Sequence, residues 1–179
     1  MKITFKDGTS QDIEKGLTVG AAMKACGLPV GTDVLAAKVN GVVVDLSRPL
    51  TEDAVVEPVR FDTAEGREVY RHSSTHIMAQ AVKEVFPTAQ VTIGPALEDS
   101  FFYDFAFERP FTPEDLEKIE ARARDIIKRN LPVTRKELTK QEAIQFFQSR
   151  GEAYKVELIQ GFPDHEPISA YSQGEFVDL

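Results

Sequence analysis

The stretch RHSSTHIMAQAVKEVFP, Arg71 to Pro87, constrains this chain more than any other. Its residues favour a helix that begins near Ala64 and must end at Phe86, because Pro87 cannot continue it. Successive residues advance about 100° around such a helix. Ile77, Met78, Ala81, Val82, Val85 and Phe86 therefore fill one apolar arc. His72 and His76 stand four residues apart, about 40° from each other, outside that arc. Gln80 and Lys83 continue their polar stripe. The two imidazoles are expected to face away from the main packing surface, within reach of one water or one metal ion. A zincin site is excluded, since that motif needs a glutamate after the first histidine and Ser73 and Ser74 follow here.

With 179 residues the chain can hold one large domain or two small ones. Cys26 is the single cysteine, so no internal disulfide and no multi-cysteine metal cluster can form within the chain. A reducing cytoplasmic setting is expected. The opening MKITFKDG is too quickly charged for a signal peptide, and no apolar run approaches a membrane span. A net charge of −8 argues against non-specific nucleic-acid binding over the whole surface. The charge is uneven: Arg122, Arg124, Lys128, Arg129, Arg135, Lys136 and Lys140 stand against only Asp125 and Glu137. That stretch reads as a solvated face or as a patch that meets phosphates.

Local signals order the first half. Lys2 to Lys6 alternate as a strand, Asp7-Gly8 turns the chain back toward Ile13, Thr18 caps a helix from Val19 to about Cys26, and Gly27 ends it. Val34 to Val39, the Asn40-Gly41 turn, Val42 to Asp45 and Val55 to Phe61 supply the remaining strands. Asp62 to Gly66 reads as a connector, giving expected domains of 1–61 and 62–179. In the second half, Gln90 to Ile93 is expected as a short strand and Ser100 to Phe107 as a core strand. Thr112 with Pro113 begins a helix that Asn130 ends, and Leu131 to Glu137 is a strand. Thr139 with Glu142 forms a capping box. Tyr154 to Ile159 is helical, and Ile168 to Leu179 folds as two strands about Gln173-Gly174. The class is α+β, with the long histidine-bearing helix packed on a sheet.

The order of the first sixty residues resembles the ubiquitin-like β-grasp fold of TGS domains. With RHSSTHIMAQAVKEVFP, VTIGPALEDSFFYDF, GEAYKVELI and GEFVDL in succession, nearly the whole chain resembles the N-terminal part of the bacterial threonyl-tRNA synthetases. The resemblance implies that the second domain edits, hydrolysing seryl-tRNA(Thr) made in error. It places His72 and His76 in the editing site as the HxxxH pair, with Tyr103 as a substrate contact and Lys155 and Asp178 as further site residues. Ser100 stands where many members have glycine. In the family the V-D-x stretch continues into a cysteine and then Gly-Pro-His, so the chain is expected to be a fragment stopping one position short of that cysteine. The resemblance further implies tRNA(Thr) as partner, a cytoplasmic parent enzyme without membrane attachment, and ATP, Mg2+ and Zn2+ in a catalytic domain that also forms a homodimer. A Zn2+ ion held by His72 and His76 stays open.

The chemistry is consistent with those residue types. An aminoacyl ester needs a positioned water, a base to take its proton and a donor for the oxyanion. Histidine suits the second role, and Lys155 the third or a phosphate contact. A synthetic site cannot exclude serine by size, since serine is one methyl smaller than threonine. One methyl discriminates by only about 10–200-fold, so a second sieve raises fidelity. Tyr103 can wall that sieve. Two alternatives remain: a non-catalytic tRNA-binding or regulatory appendage, and a free-standing metal-dependent aminoacyl-tRNA deacylase.

Overall fold

Turn chemistry sets the first unit. The computed structural model describes residues 1–92, 94, 97 and 100–179 and divides into two compact units, Met1–Arg71 and His72–Leu179. β1 (Lys2–Phe5) and β2 (Ser10–Asp12) form the opening hairpin, and α1 (Val19–Ala25) follows, capped by the Thr18 side chain. β3 (Val34–Val39) and β4 (Val42–Val44) meet through Asn40-Gly41, both at positive φ as a tight hairpin turn requires. β5 (Ala54–Arg60) then inserts between β1, to which it is parallel, and β3. The sheet order is β2-β1-β5-β3-β4. Ile3, Val19, Ala22, Met23 and Val56 are fully buried in one core, with Cys26 packed beside them. This is the β-grasp arrangement expected from the sequence.

The division falls inside α2 (Ala64–Val85), between Arg71 and His72. In the second unit β6 (Gln90–Val91) pairs with β7 (Phe105–Ala106). α3 (Pro113–Arg129) begins with a Thr112–Asp115 capping box and ends at Asn130 in the left-handed conformation. β8 (Val133–Leu138), α4 (Lys140–Ser149) with its Thr139–Glu142 capping box, and α5 (Ala153–Gln160) follow. β9 (Ile168–Gln173) and β10 (Phe176–Asp178) complete an antiparallel sheet in the order β10-β9-β8. α4, α5 and one face of this sheet enclose Phe147, Ile159 and Ala170. Ala81 and Val82 of α2 and Phe86 just after it pack with Ile119 and Ile126 of α3 and with Phe105, Phe107 and Phe111.

Three expectations need correction. Ser100 to Phe107 is not a core strand: only Phe105 and Ala106 join a ladder, and Phe102 is exposed. Its aromatic rings pack edge and face upon each other, Phe105 and Phe107 on Phe111, instead of alternating across a sheet. The polar stripe of α2 is also not a solvent face, because Gln80 is buried and so is Thr75. α2 is covered on two sides, its apolar arc by α3 and the aromatic rings. Gln80 stays polar by donating to Glu84 at 2.9 Å. The strand expected over 90–93 pairs only at Gln90 and Val91, and Ile93 lies outside the described residues.

Phe147 is the largest fully buried side chain of the second unit's α4–α5 core. Phe147→Ala is expected to destabilise that unit by about 3–5 kcal/mol. Native-state hydrogen exchange should then speed up across β8 and β9 while β1 and β5 of the first unit keep their protection.

Candidate functional site

One carboxylate gathers the site. The β9–β10 hairpin turns at Gly174, at φ 61°, and returns Asp178 opposite Tyr171 of β9, which in turn faces Arg135 of β8. Asp178 is 2% exposed. His76 of α2 meets its Oδ2 through Nδ1 at 2.9 Å, and the Tyr103 hydroxyl donates to both oxygens at 3.0 and 3.2 Å. Lys155, in the first turn of α5 and itself 1% exposed, donates its ammonium to Oδ1, which also accepts the Leu179 backbone N–H at 2.9 Å. Burial by itself would raise the Asp178 carboxyl, but the hydrogen bond to His76 and the charge of Lys155 outweigh it and hold the group well below the usual carboxylate range. Tyr103 moves the other way. Burial first, then the Asp178 charge and hydrogen bond, push its phenol far up, so it stays a neutral donor.

An ionised carboxylate only accepts, so the His76 nitrogen facing it carries the proton. Its Nε2 is then a lone pair in the neutral ring, and that atom is buried with no hydrogen-bond partner among the described residues. His72 lies 4.6 Å away, centroid to centroid, edge-on to His76. Both rings border a cavity of about 420 Å³ that Tyr103, Lys155 and Asp178 also line. Leu158, Phe162 and Ile168 make its apolar wall. Gly94 fits against the Tyr103 ring so closely that a Cβ there would stand 2.3 Å from a ring carbon, which fixes the ring's position and excludes larger residues.

All five residues proposed from the sequence, His72, His76, Tyr103, Lys155 and Asp178, thus border one cavity. The basic stretch does not share this focus. Arg122 and Arg129 pair with Glu84, Arg124 with Glu120, Lys128 with Asp125, and Lys140 with Asp164. Arg135 pairs with Glu137 and also donates to the Ser169 hydroxyl at 2.7 Å, at the cavity's edge. Lys136 makes no ion pair among the described residues. Sequence reading missed Tyr171, whose ring lies 5.8 Å from His76 and 6.2 Å from His72. The period of two along β9 and β10 is the signal that would have found it.

A zinc ion at His72 and His76 lacks a matching donor set. The Asp178 carboxylate is engaged by Lys155, Tyr103 and His76, and no three His, Cys, Asp or Glu side chains converge among the described residues. Zinc sites use three or four such ligands. Among the described residues the donor set does not fit the ion.

Comparison with known proteins places the chain beside one group of relatives. Residues 1–59 match the TGS domain family. The chain is 49% identical over 177 residues to the "Threonine--tRNA ligase" of Symbiobacterium thermophilum, 47% over 179 residues to that of Desulforamulus reducens and 48% over 177 residues to that of Methylococcus capsulatus. These alignments cover 99%, 100% and 99% of the chain, but only 27%, 28% and 28% of the relatives. No described helix is long and apolar enough to cross a membrane.

Asp178→Asn should destabilise the second unit by about 3–5 kcal/mol, because it strands the buried Lys155 ammonium. The carboxyl binds its proton less readily folded than unfolded, so its stabilisation is present above about pH 4 and is lost as pH falls through the folded value. Urea titrations from pH 7 to pH 2 should show an acid decline in stability that is shallower in the variant.

Proposed function

From a chain homologous to the N-terminal region of the bacterial threonine--tRNA ligases, we propose that the second unit is an editing site that hydrolyses the ester of seryl-tRNA(Thr). The parent enzyme would attach threonine to that tRNA with ATP. The observation that carries the reading is the His76–Asp178 contact, which leaves the buried Nε2 of an imidazole that borders a cavity as a proton acceptor.

In this mechanism the seryl ester enters the cavity and His76 Nε2 takes a proton from the attacking water. Asp178 holds the ring in the required tautomer and stabilises the imidazolium as it forms, while Lys155 keeps Asp178 ionised. The Lys155 ammonium has three donors and one is given to Asp178, so the others can face the developing oxyanion. His72, more exposed than His76, stands beside the entering substrate. Tyr103, fixed between Asp178 and Gly94, forms the rigid wall against which the extra methyl of threonine would clash.

Deacylation of seryl- and threonyl-tRNA(Thr) tests the reading. The parent protein should release serine selectively, and His76→Ala should slow that release by about 10²–10⁴-fold with unfolding unchanged. Equal hydrolysis of the two esters, or full activity without His76, would return the site to a non-catalytic tRNA-binding appendage.

The ion pairs also divide the basic stretch. Charges already paired on α3 displace few counterions; Arg135 is paired as well, with Glu137, but also reaches Ser169 at the cavity's edge, and Lys136 makes no ion pair among the described residues on the exposed edge strand β8. The tRNA phosphates are therefore assigned to Arg135 and Lys136. Replacing both by alanine should reduce the slope of log K against log salt by about 1–2. Replacing Arg122, Arg124, Lys128 and Arg129 together should change it less.

A further inference from the structure

The helices that bring His76 and Lys155 to Asp178 meet at a second contact. Lys83 lies seven residues beyond His76 on α2, and Glu152 lies three residues before Lys155 at the start of α5. Their charged atoms are 3.1 Å apart, with the Glu152 side chain only 12% exposed. Two rungs therefore connect α2 and α5, one direct and one through Asp178. Seven residues span about 10 Å of α2 and three span about 4.5 Å of α5. The rungs are unequally spaced, so the helices cannot be tied side by side at both, and the β10 carboxylate bridges the second rung.

We propose that Glu152 is a positioning residue: its ion pair with Lys83 sets where α5 meets α2 and thereby holds Lys155 and His76 on the same carboxylate. The consequence for serine release rests on the reading of His76 as the base.

Three features of Glu152 mark it as more than a helix start. It occupies the N-cap of α5 but makes no side-chain cap bond, although α3 and α4 in the same unit both begin with complete capping boxes. The side chain is turned to Lys83 at the expense of the local helix. Its second oxygen is buried with no partner among the described residues, a cost that a surface ion pair would not carry. Lys83 is a fixed anchor, because its ammonium also donates to the carbonyls of Ala89 at 3.0 Å and Pro87 at 3.4 Å, just past the end of α2. The charge reaches the site as well: Glu152 adds to burial and Asp178 in pushing the Tyr103 phenol up, which keeps that hydroxyl a donor.

The test uses Glu152→Gln and Lys83→Gln, each close in shape to the original, with Lys83→Arg as the charge-conserving control. NMR of the chain labelled with 15N should show a Lys155 ammonium protected from exchange and a His76 Nδ1 proton hydrogen-bonded to Asp178. Both signals should be lost in the two glutamine variants and kept in Lys83→Arg, while all three unfold cooperatively. Serine release by the parent protein should fall about ten- to hundredfold in kcat with KM unchanged. Unaltered Lys155 and His76 signals in both glutamine variants would overturn the proposal. Loss of cooperative unfolding in both would overturn it too, since the pair would then hold the fold and not the site. Signals lost from a chain whose parent releases no serine would leave the positioning role standing and sink the editing reading instead.

Discussion

The second unit depends on the burial of one negative charge. Asp178 cannot sit 2% exposed unless its lone pairs are met, because a buried carboxylate without partners costs several kcal/mol. Its donors come from α2, from the segment around Tyr103, from α5 and from the backbone after β10. None of these contacts forms until four parts of the chain have been brought together. The same requirement keeps Lys155 in place, since an ammonium 1% exposed has no alternative to its carboxylate. Charge and counter-charge thus couple the site geometry to the unit's stability, and the His76 tautomer follows from its contact with the carboxylate.

α2 can serve such a site because it is buried on more than one side. Its apolar residues close on α3 and on the Phe86, Phe107 and Phe111 rings, which lie 5.3 to 5.5 Å apart around Phe86. Its polar residues are covered too, and each needs a specific partner: Thr75 donates to the His72 carbonyl, Gln80 to Glu84, and Glu84 accepts from Arg129. Apolar packing provides the driving force for docking the helix, and of these contacts the Glu84–Arg129 pair, which reaches α3, restricts its rotation. A helix free to turn by one residue would swing His76 through about 100° and away from Asp178.

What could be read from the sequence was local. Asp7-Gly8, Asn40-Gly41, the Thr18 and Thr112 caps and the Thr139 capping box each act within a few residues, and each appears where it was expected. Individual site residues were named through family resemblance, but their joint geometry was not legible. Asp178 lies 102 residues from His76, 75 from Tyr103 and 23 from Lys155, and no spacing rule connects positions so far apart. Gln80 misled for the same reason: a polar side chain on a helix predicts solvent, and only a second packing layer reverses that. The aromatic run at 101–107 has the composition of a strand, yet ring-on-ring contacts satisfied it with two residues of ladder.

The two histidines show why composition at a site falls short of chemistry. They are one residue type, four positions apart on one helix, with rings 4.6 Å apart. His76 meets the carboxylate through Nδ1, so its proton is assigned there and its buried Nε2 keeps the lone pair, without a partner among the described residues. Tyr171 packs against both rings, from the strand position paired with Asp178, so the hairpin that delivers the carboxylate also limits where the imidazoles can move. In the proposed editing reaction a base would need its lone pair held in place before substrate arrives, since reorganisation during the reaction would add to the barrier. The β9–β10 hairpin provides that hold, because it fixes the acceptor and the packing surface in one register.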